Sequence, residues 1–156
     1  MKAWIDAYLH GEERLRAAIA GQSEEELRFK PAPGKWSIHE IIIHVADAEL
    51  VGIQRMKKVL AEERPLLTSY GQDLWAHSLH YDKQDREQSL TLFKMMRESM
   101  RPILENLTDE QGQRIGLHDE AGELSFRQLL ERYVNHVEDH LAQIERVKNA
   151  FQQSKA

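Results

Sequence analysis

Two histidines four residues apart, His136 and His140, lie on one face of any helix that contains them and can share a metal ion. The face matters more than the spacing. Leu129, Tyr133, His136, His140, Ile144 and Val147 follow one continuous helical stripe, so both imidazoles interrupt an apolar, core-facing surface. A third histidine, His44, falls at the margin of the apolar stripe Ile41, His44, Ala48, Val51. An imidazole nitrogen set against apolar surface costs roughly 1–3 kcal/mol if it finds no partner. A divalent cation is such a partner. Neutral imidazoles suit zinc, nickel, iron or copper, and three protein ligands leave a position open for water or substrate. The chemistry expected of His44, His136 and His140 together is therefore activation of a nucleophile near neutral pH, either water or a thiol. The plain alternative is a set of core histidines bonded to carbonyls.

The remaining candidates are weaker. His77 and His80 are three apart but sit on no apolar stripe, as expected of a solvated loop; His10 and His118 also read as solvated. His39 lies on a different face from His44. The run from His136 to His140 lacks the glutamate that directly follows the first histidine of a zinc-protease helix. Asp47 and Asp139 are placed to orient imidazoles, and Arg55 and Arg97 to meet an anionic substrate, although solvent-facing carboxylates and surface ion pairs are the ordinary reading of such residues. No general base, phosphate loop or nucleophile elbow is identifiable.

Four amphipathic segments must position these side chains, and none of the chain shows sustained strand alternation. The first runs on Trp4, Ile5, Tyr8, Leu9, Leu15 and Ile19 to Gly21. The second opens at Ser37, where Ser37 and Glu40 form a capping box, and extends to about Ala61 before Pro65. Leu66 to Asp85 is a long crossover, with a helical turn expected near Trp75. The third spans about Gln84 to Asn106 with Pro102 inside it, and the fourth opens at the capping box Ser125 to Gln128. The pattern predicts an all-α fold, a four-helix bundle with a long crossover between the second and third helices, formed as a single domain over 1–156. Bundles of this kind place cofactors between facing helices.

Composition narrows the function. The chain has 156 residues, 21 Lys+Arg against 26 Asp+Glu for a net charge of −5, and no cysteine. Disulfides, thiolate metal sites and cysteine nucleophiles are excluded, and a reducing, cytoplasmic setting is expected. The acidic balance without a basic block gives no reason to bind nucleic acid or a membrane surface. No transmembrane run or amino-terminal signal region is evident.

Trp36-Ser37-Ile38, then His44-Val45-Ala46-Asp47-Ala48-Glu49, then His136-x-x-x-His140 together resemble the DinB-like superfamily of metal-binding four-helix bundles. Arg64-Pro65, Tyr70, Trp75-Ala76, Ser89-Leu90, Arg97 and Ser125 to Leu130 extend the likeness to the branch of metal-dependent hydrolases and bacillithiol transferases. The resemblance implies one divalent metal held by His44, His136 and His140, a small-molecule substrate, a low-molecular-weight thiol as an additional cofactor in some members, and a homodimer. Two functions are therefore weighed: hydrolysis or thiol S-transfer at a three-histidine centre, and a non-catalytic, stress-related bundle that binds a ligand or a metal.

Overall fold

A computed structural model describes all of residues 1–156. Eight α-helices lie along the chain: α1 (Lys2–Leu9), α2 (Gly11–Ile19), α3 (Glu24–Arg28), α4 (Ile38–Ala61), α5 (Gln72–Ser78), α6 (Arg86–Glu105), α7 (Asp109–Gly112) and α8 (Phe126–Lys155). Three short strands, β1 (Leu66–Leu67), β2 (Ile115–His118) and β3 (Gly122–Ser125), and one turn of 3-10 helix at Tyr81–Lys83 complete it. The architecture is the four-helix bundle that the patterning predicts. Its members are α4, α6, α8 and the pair α1–α2, which together take the place of one helix. α4 packs against both α6 and α8, while α1 and α2 pack against α6 and α8 from the other side. The first and second members therefore face each other across the bundle diagonal, and the adjacency of the second and fourth helical segments, which the histidine argument needs, is met by α4 and α8.

Local chemistry sets the helix starts. Ser37 and Ser125 each accept from the backbone N–H three residues on, and the glutamate or glutamine there reaches back, so α4 and α8 both begin with a complete capping box. Asp85 caps α6 by accepting from the Gln88 backbone N–H, and α6 continues through Pro102 to Glu105. The crossover carries α5 around Trp75, as expected.

Two features depart from the sequence reading. The first segment is not one helix but breaks at His10, where Arg97 from α6 fills the notch and donates to the Tyr8 carbonyl at 2.7 Å. Gly11 permits this, since a Cβ there would lie 2.5 Å from Arg97 Nη1. The second is a small sheet in order β1-β2-β3, in which β2 and β3 form an antiparallel hairpin. β1 pairs parallel with β2, Leu66 opposite Leu117 and Leu67 opposite His118, tying the crossover to the hairpin before α8.

Two large apolar clusters make up most of the interior, and a third, small one joins Ile43 to Ala76 and Tyr81. One large cluster gathers Tyr8, Met56, Met100, Phe126 and Leu130; the other gathers Leu15, Ile38, Ile41, Leu90, Phe93 and Ile144. Arg97 lies between them, 2% exposed, its guanidinium 4.1 Å above the Tyr8 ring and 4.4 Å from that of Phe93. It pairs with buried Glu49 of α4 at 2.8 Å and donates to the Tyr133 carbonyl of α8 at 2.8 Å. The Tyr8 hydroxyl donates to the other Glu49 oxygen. Arg97 of α6 thus ties together all four members of the bundle and is not placed to meet a substrate. No helix is long and apolar enough to cross a membrane.

Candidate metal centre

His44 comes from the second turn of α4, and His136 and His140 come from successive turns of α8. The α4–α8 contact brings their rings together. His136 Nε2 lies 2.9 Å from His140 Nε2 and 3.2 Å from His44 Nε2. The three donor nitrogens all fall within 4.8 Å of one another, and they form the only such cluster of potential metal ligands in the chain. His44 is fully buried, with the Trp36 ring against its imidazole at a centroid separation of 4.7 Å.

Burial decides the charge state. Loss of water pushes His44 and His136 down to about 3, and the like charges of neighbouring imidazoles act in the same direction. Desolvation also lowers His140, partly offset by its bond to Gln143. All three are neutral at pH 7, the form in which imidazole is a ligand. His140 Nδ1 donates to Gln143 Oε1 at 2.8 Å, which leaves the Nε2 lone pair facing the other two rings.

The donor set fits a metal. Two nitrogens bound at about 2.0–2.1 Å to one zinc ion are roughly 2.8–3.4 Å apart for angles from right to tetrahedral. The two shorter separations in the cluster match that interval. Without a cation, a proton on His136 Nε2 can serve only one neighbour at a time, so at least one inward lone pair has no donor. The three residues have the chemistry and convergence of a three-histidine site.

The other candidates have different roles. His39 Nε2 donates to the Tyr81 carbonyl at 3.0 Å and its Nδ1 accepts from Arg86 at 2.9 Å, so it is a buried structural histidine. His10 is exposed, and His77 and His80 lie on the outer edge of the crossover, apart from the cluster. Asp47 orients no imidazole: the Tyr81 hydroxyl donates to it at 2.5 Å, and burial raises its carboxyl above the usual range. Asp139 is exposed, and the partner of His140 is Gln143 instead.

His118 differs most from expectation. Its side chain is 9% exposed, and its Nδ1 accepts from the backbone N–H groups of Glu120 and Ala121 at 3.2 Å each, which makes Nε2 the protonated nitrogen. It lines a cavity of about 220 Å³ that abuts the cluster, together with Arg55, Tyr70, Arg132, Tyr133 and His136. Gln72, at the start of α5, separates this cavity from a more open recess bordered by Trp36, Asp73, His140 and Gln143. The crossover therefore roofs the site. Arg55 donates to the Tyr133 hydroxyl at 3.1 Å and to the Thr68 carbonyl, joining the α4–α8 wall to that roof. Gly52 makes the wall possible, because a Cβ there would lie 2.4 Å from the Tyr133 ring.

Comparison with known proteins agrees with this architecture. A protein of Halalkalibacterium halodurans, named "Putative metal-dependent hydrolase BH0277", is 30% identical over 145 residues, 93% of this chain and 84% of that one. A protein of Bacillus licheniformis with the same kind of name is 28% identical over 92% of this chain and 82% of its own length. The solved structure of YfiT from Bacillus subtilis, described as "a probable metal-dependent hydrolase with an unusual four-helix bundle topology", superposes with a TM-score of 0.89 at 24% identity, covering 97% of this chain and 87% of YfiT. It shares the fold. The profile of the DinB superfamily matches residues 7–144, a span that contains all three clustered histidines, and the chain belongs to that superfamily.

Proposed function

We propose that this chain is a metal-dependent enzyme that hydrolyses a small molecule or transfers a thiol to it, with His44, His136 and His140 holding one divalent ion. The observation that carries the reading is the convergence of three neutral Nε2 atoms at the edge of a cavity. Zinc and nickel are the favoured ions, with manganese and iron as alternatives. The bound ion would act as a Lewis acid, polarising the substrate and lowering the pKa of the attacking nucleophile. The protein's share of the work is positional. Gln143 fixes the tautomer of His140, Trp36 shields His44 from water, and Arg55 and Tyr133 hold the cavity wall in register with α8.

A second reading, a non-catalytic bundle that binds a ligand or a metal, is favoured by one specific fact. Asp47, the carboxylate one turn beyond His44, is taken up by the Tyr81 hydroxyl and is not free to act as a base. Elemental analysis of untagged protein, wild type and His44→Ala and His136→Ala, tests the metal reading. About one ion per chain, lost in both variants, is expected; no uptake after reconstitution with zinc, nickel, manganese and iron would refute it. Turnover of ester, amide or thiol-plus-electrophile substrates by the loaded protein, abolished in His44→Ala, distinguishes enzyme from binding protein.

A further inference from the structure

The cavity beside the histidine cluster is basic in an acidic protein. Arg55, Arg132 and His118 line it, and no aspartate or glutamate does. Three nearby acids are already engaged: Glu49 with Arg97, Asp47 with Tyr81, and Asp119 with Ser69, whose backbone N–H donates to it at 2.9 Å. Arg55 is fixed by two neutral acceptors, the Tyr133 hydroxyl and the Thr68 carbonyl, which orient the guanidinium without cancelling its charge, and its buried Nε has no partner. Arg132, from the turn of α8 before His136, makes no ion pair within the chain and lines the same cavity. Two uncompensated guanidiniums converging on one concave, partly dry wall focus positive potential there, and guanidinium is the group best matched to a planar or tetrahedral oxyanion.

We infer that this cavity is an oxyanion subsite, in which Arg55 and Arg132 bind a carboxylate or phosphate at one end of a small substrate whose reacting group lies at His136. The inference rests on the reading of the cluster as a metal site for the direction in which the substrate points, and on the arginines alone for the anion. The volume, about 220 Å³, is that of roughly seven waters, which limits the buried part of the substrate to a short chain. Tyr70 and Gln72 from the crossover close the other side of the cavity and add neutral hydrogen-bonding groups.

Calorimetric titration of metal-free and zinc-loaded protein with succinate, inorganic phosphate and the neutral analogue succinamide tests the subsite. Succinate or phosphate should bind the metal-free protein, the tighter of the two identifying the oxyanion, and succinamide should bind at least tenfold more weakly. Arg132→Gln, on an exposed position that folding does not require, should raise the dissociation constant of the favoured anion at least tenfold, and Arg55→Gln at least as much. Anion affinity that is unchanged in Arg132→Gln, or that vanishes on removing zinc, would overturn the inference, since an ion at the histidines would then account for the binding. Zinc stoichiometry on the same samples separates the two readings. Arginine-dependent anion binding without zinc uptake sinks the metal centre and leaves the subsite, whereas one zinc per chain with arginine-independent binding does the reverse.

Discussion

Replacing Arg97 by methionine tests whether the buried tie across the bundle has the weight that its contacts imply. Methionine keeps much of the side-chain volume but removes three charge-assisted hydrogen bonds, to Glu49, the Tyr8 carbonyl and the Tyr133 carbonyl, and two cation–π contacts. Glu49, 1% exposed, would be left as an unpaired carboxylate with only the Tyr8 hydroxyl beside it. Breaking one partner of a buried ion pair costs about 3–5 kcal/mol, a large part of the stability of an ordinary domain. Urea unfolding at pH 7.5, followed by far-ultraviolet circular dichroism, should show that loss at an unchanged denaturant slope. The double variant Arg97→Met with Glu49→Gln removes the stranded charge and lets the Tyr8 hydroxyl keep an acceptor. It should recover at least about 1 kcal/mol relative to the sum of the single losses. A cost below about 1 kcal/mol for Arg97→Met, or strict additivity, would refute the reasoning. Because Arg97 joins Glu49 of α4 to Tyr133 of α8, the single variant should also weaken zinc uptake by loosening the spacing of His44 and His136.

Three further outcomes are expected. Gln143→Leu removes the acceptor that fixes His140, and zinc affinity measured by chelator competition should fall about 10- to 100-fold with the fold intact. Gly52→Ala drives a Cβ into the Tyr133 ring at 2.4 Å, and thermal unfolding should report a loss of about 1–3 kcal/mol. In metal-free protein, His44 and His136 titrate at about 3 when folded and near 6.5 when unfolded. Protons then bind the unfolded chain preferentially, so stability is present above about pH 6.5 and is lost as pH falls toward 3. At pH 5 the loss is about 2 kcal/mol for each such histidine, and a flat profile from pH 7.5 to 5 would contradict the burial argument.

The parts of this molecule that are legible in its sequence are those encoded locally. The caps at Ser37 and Ser125 and the stripe carrying His136 and His140 depend on neighbours within a few residues, and all appear where the pattern puts them. The adjacency of α4 and α8, which brings His44 to the pair, is a long-range packing fact that no periodicity contains. Arg97 and Glu49 illustrate a different limit: each is a charged residue that reads as surface, and only their mutual pairing makes burial affordable. His118 reads as solvated because β2 and β3 are four residues each, with Gly116 interrupting the first and too little alternation to reveal a strand. Gln143 was legible in principle, since i and i+3 meet on a helix, but a glutamine beside a histidine has many ordinary uses.

The two capping boxes also act as phase markers. His44 lies seven residues after Ser37, and His136 and His140 lie eleven and fifteen after Ser125. At about 3.6 residues per turn these offsets are close to two, three and four whole turns, so each cap residue and the histidines it precedes lie within about 60° of one azimuth of their helix. A single residue inserted between Ser125 and His136 would rotate both α8 imidazoles by about 100° while leaving the cap, the helix and the hydrophobic composition intact. An insertion of four residues would return them to within about 40° of their present direction. The distance from cap to ligand is thus quantised by the helical repeat, and length changes in α4 or α8 are compatible with the site only in steps near whole turns.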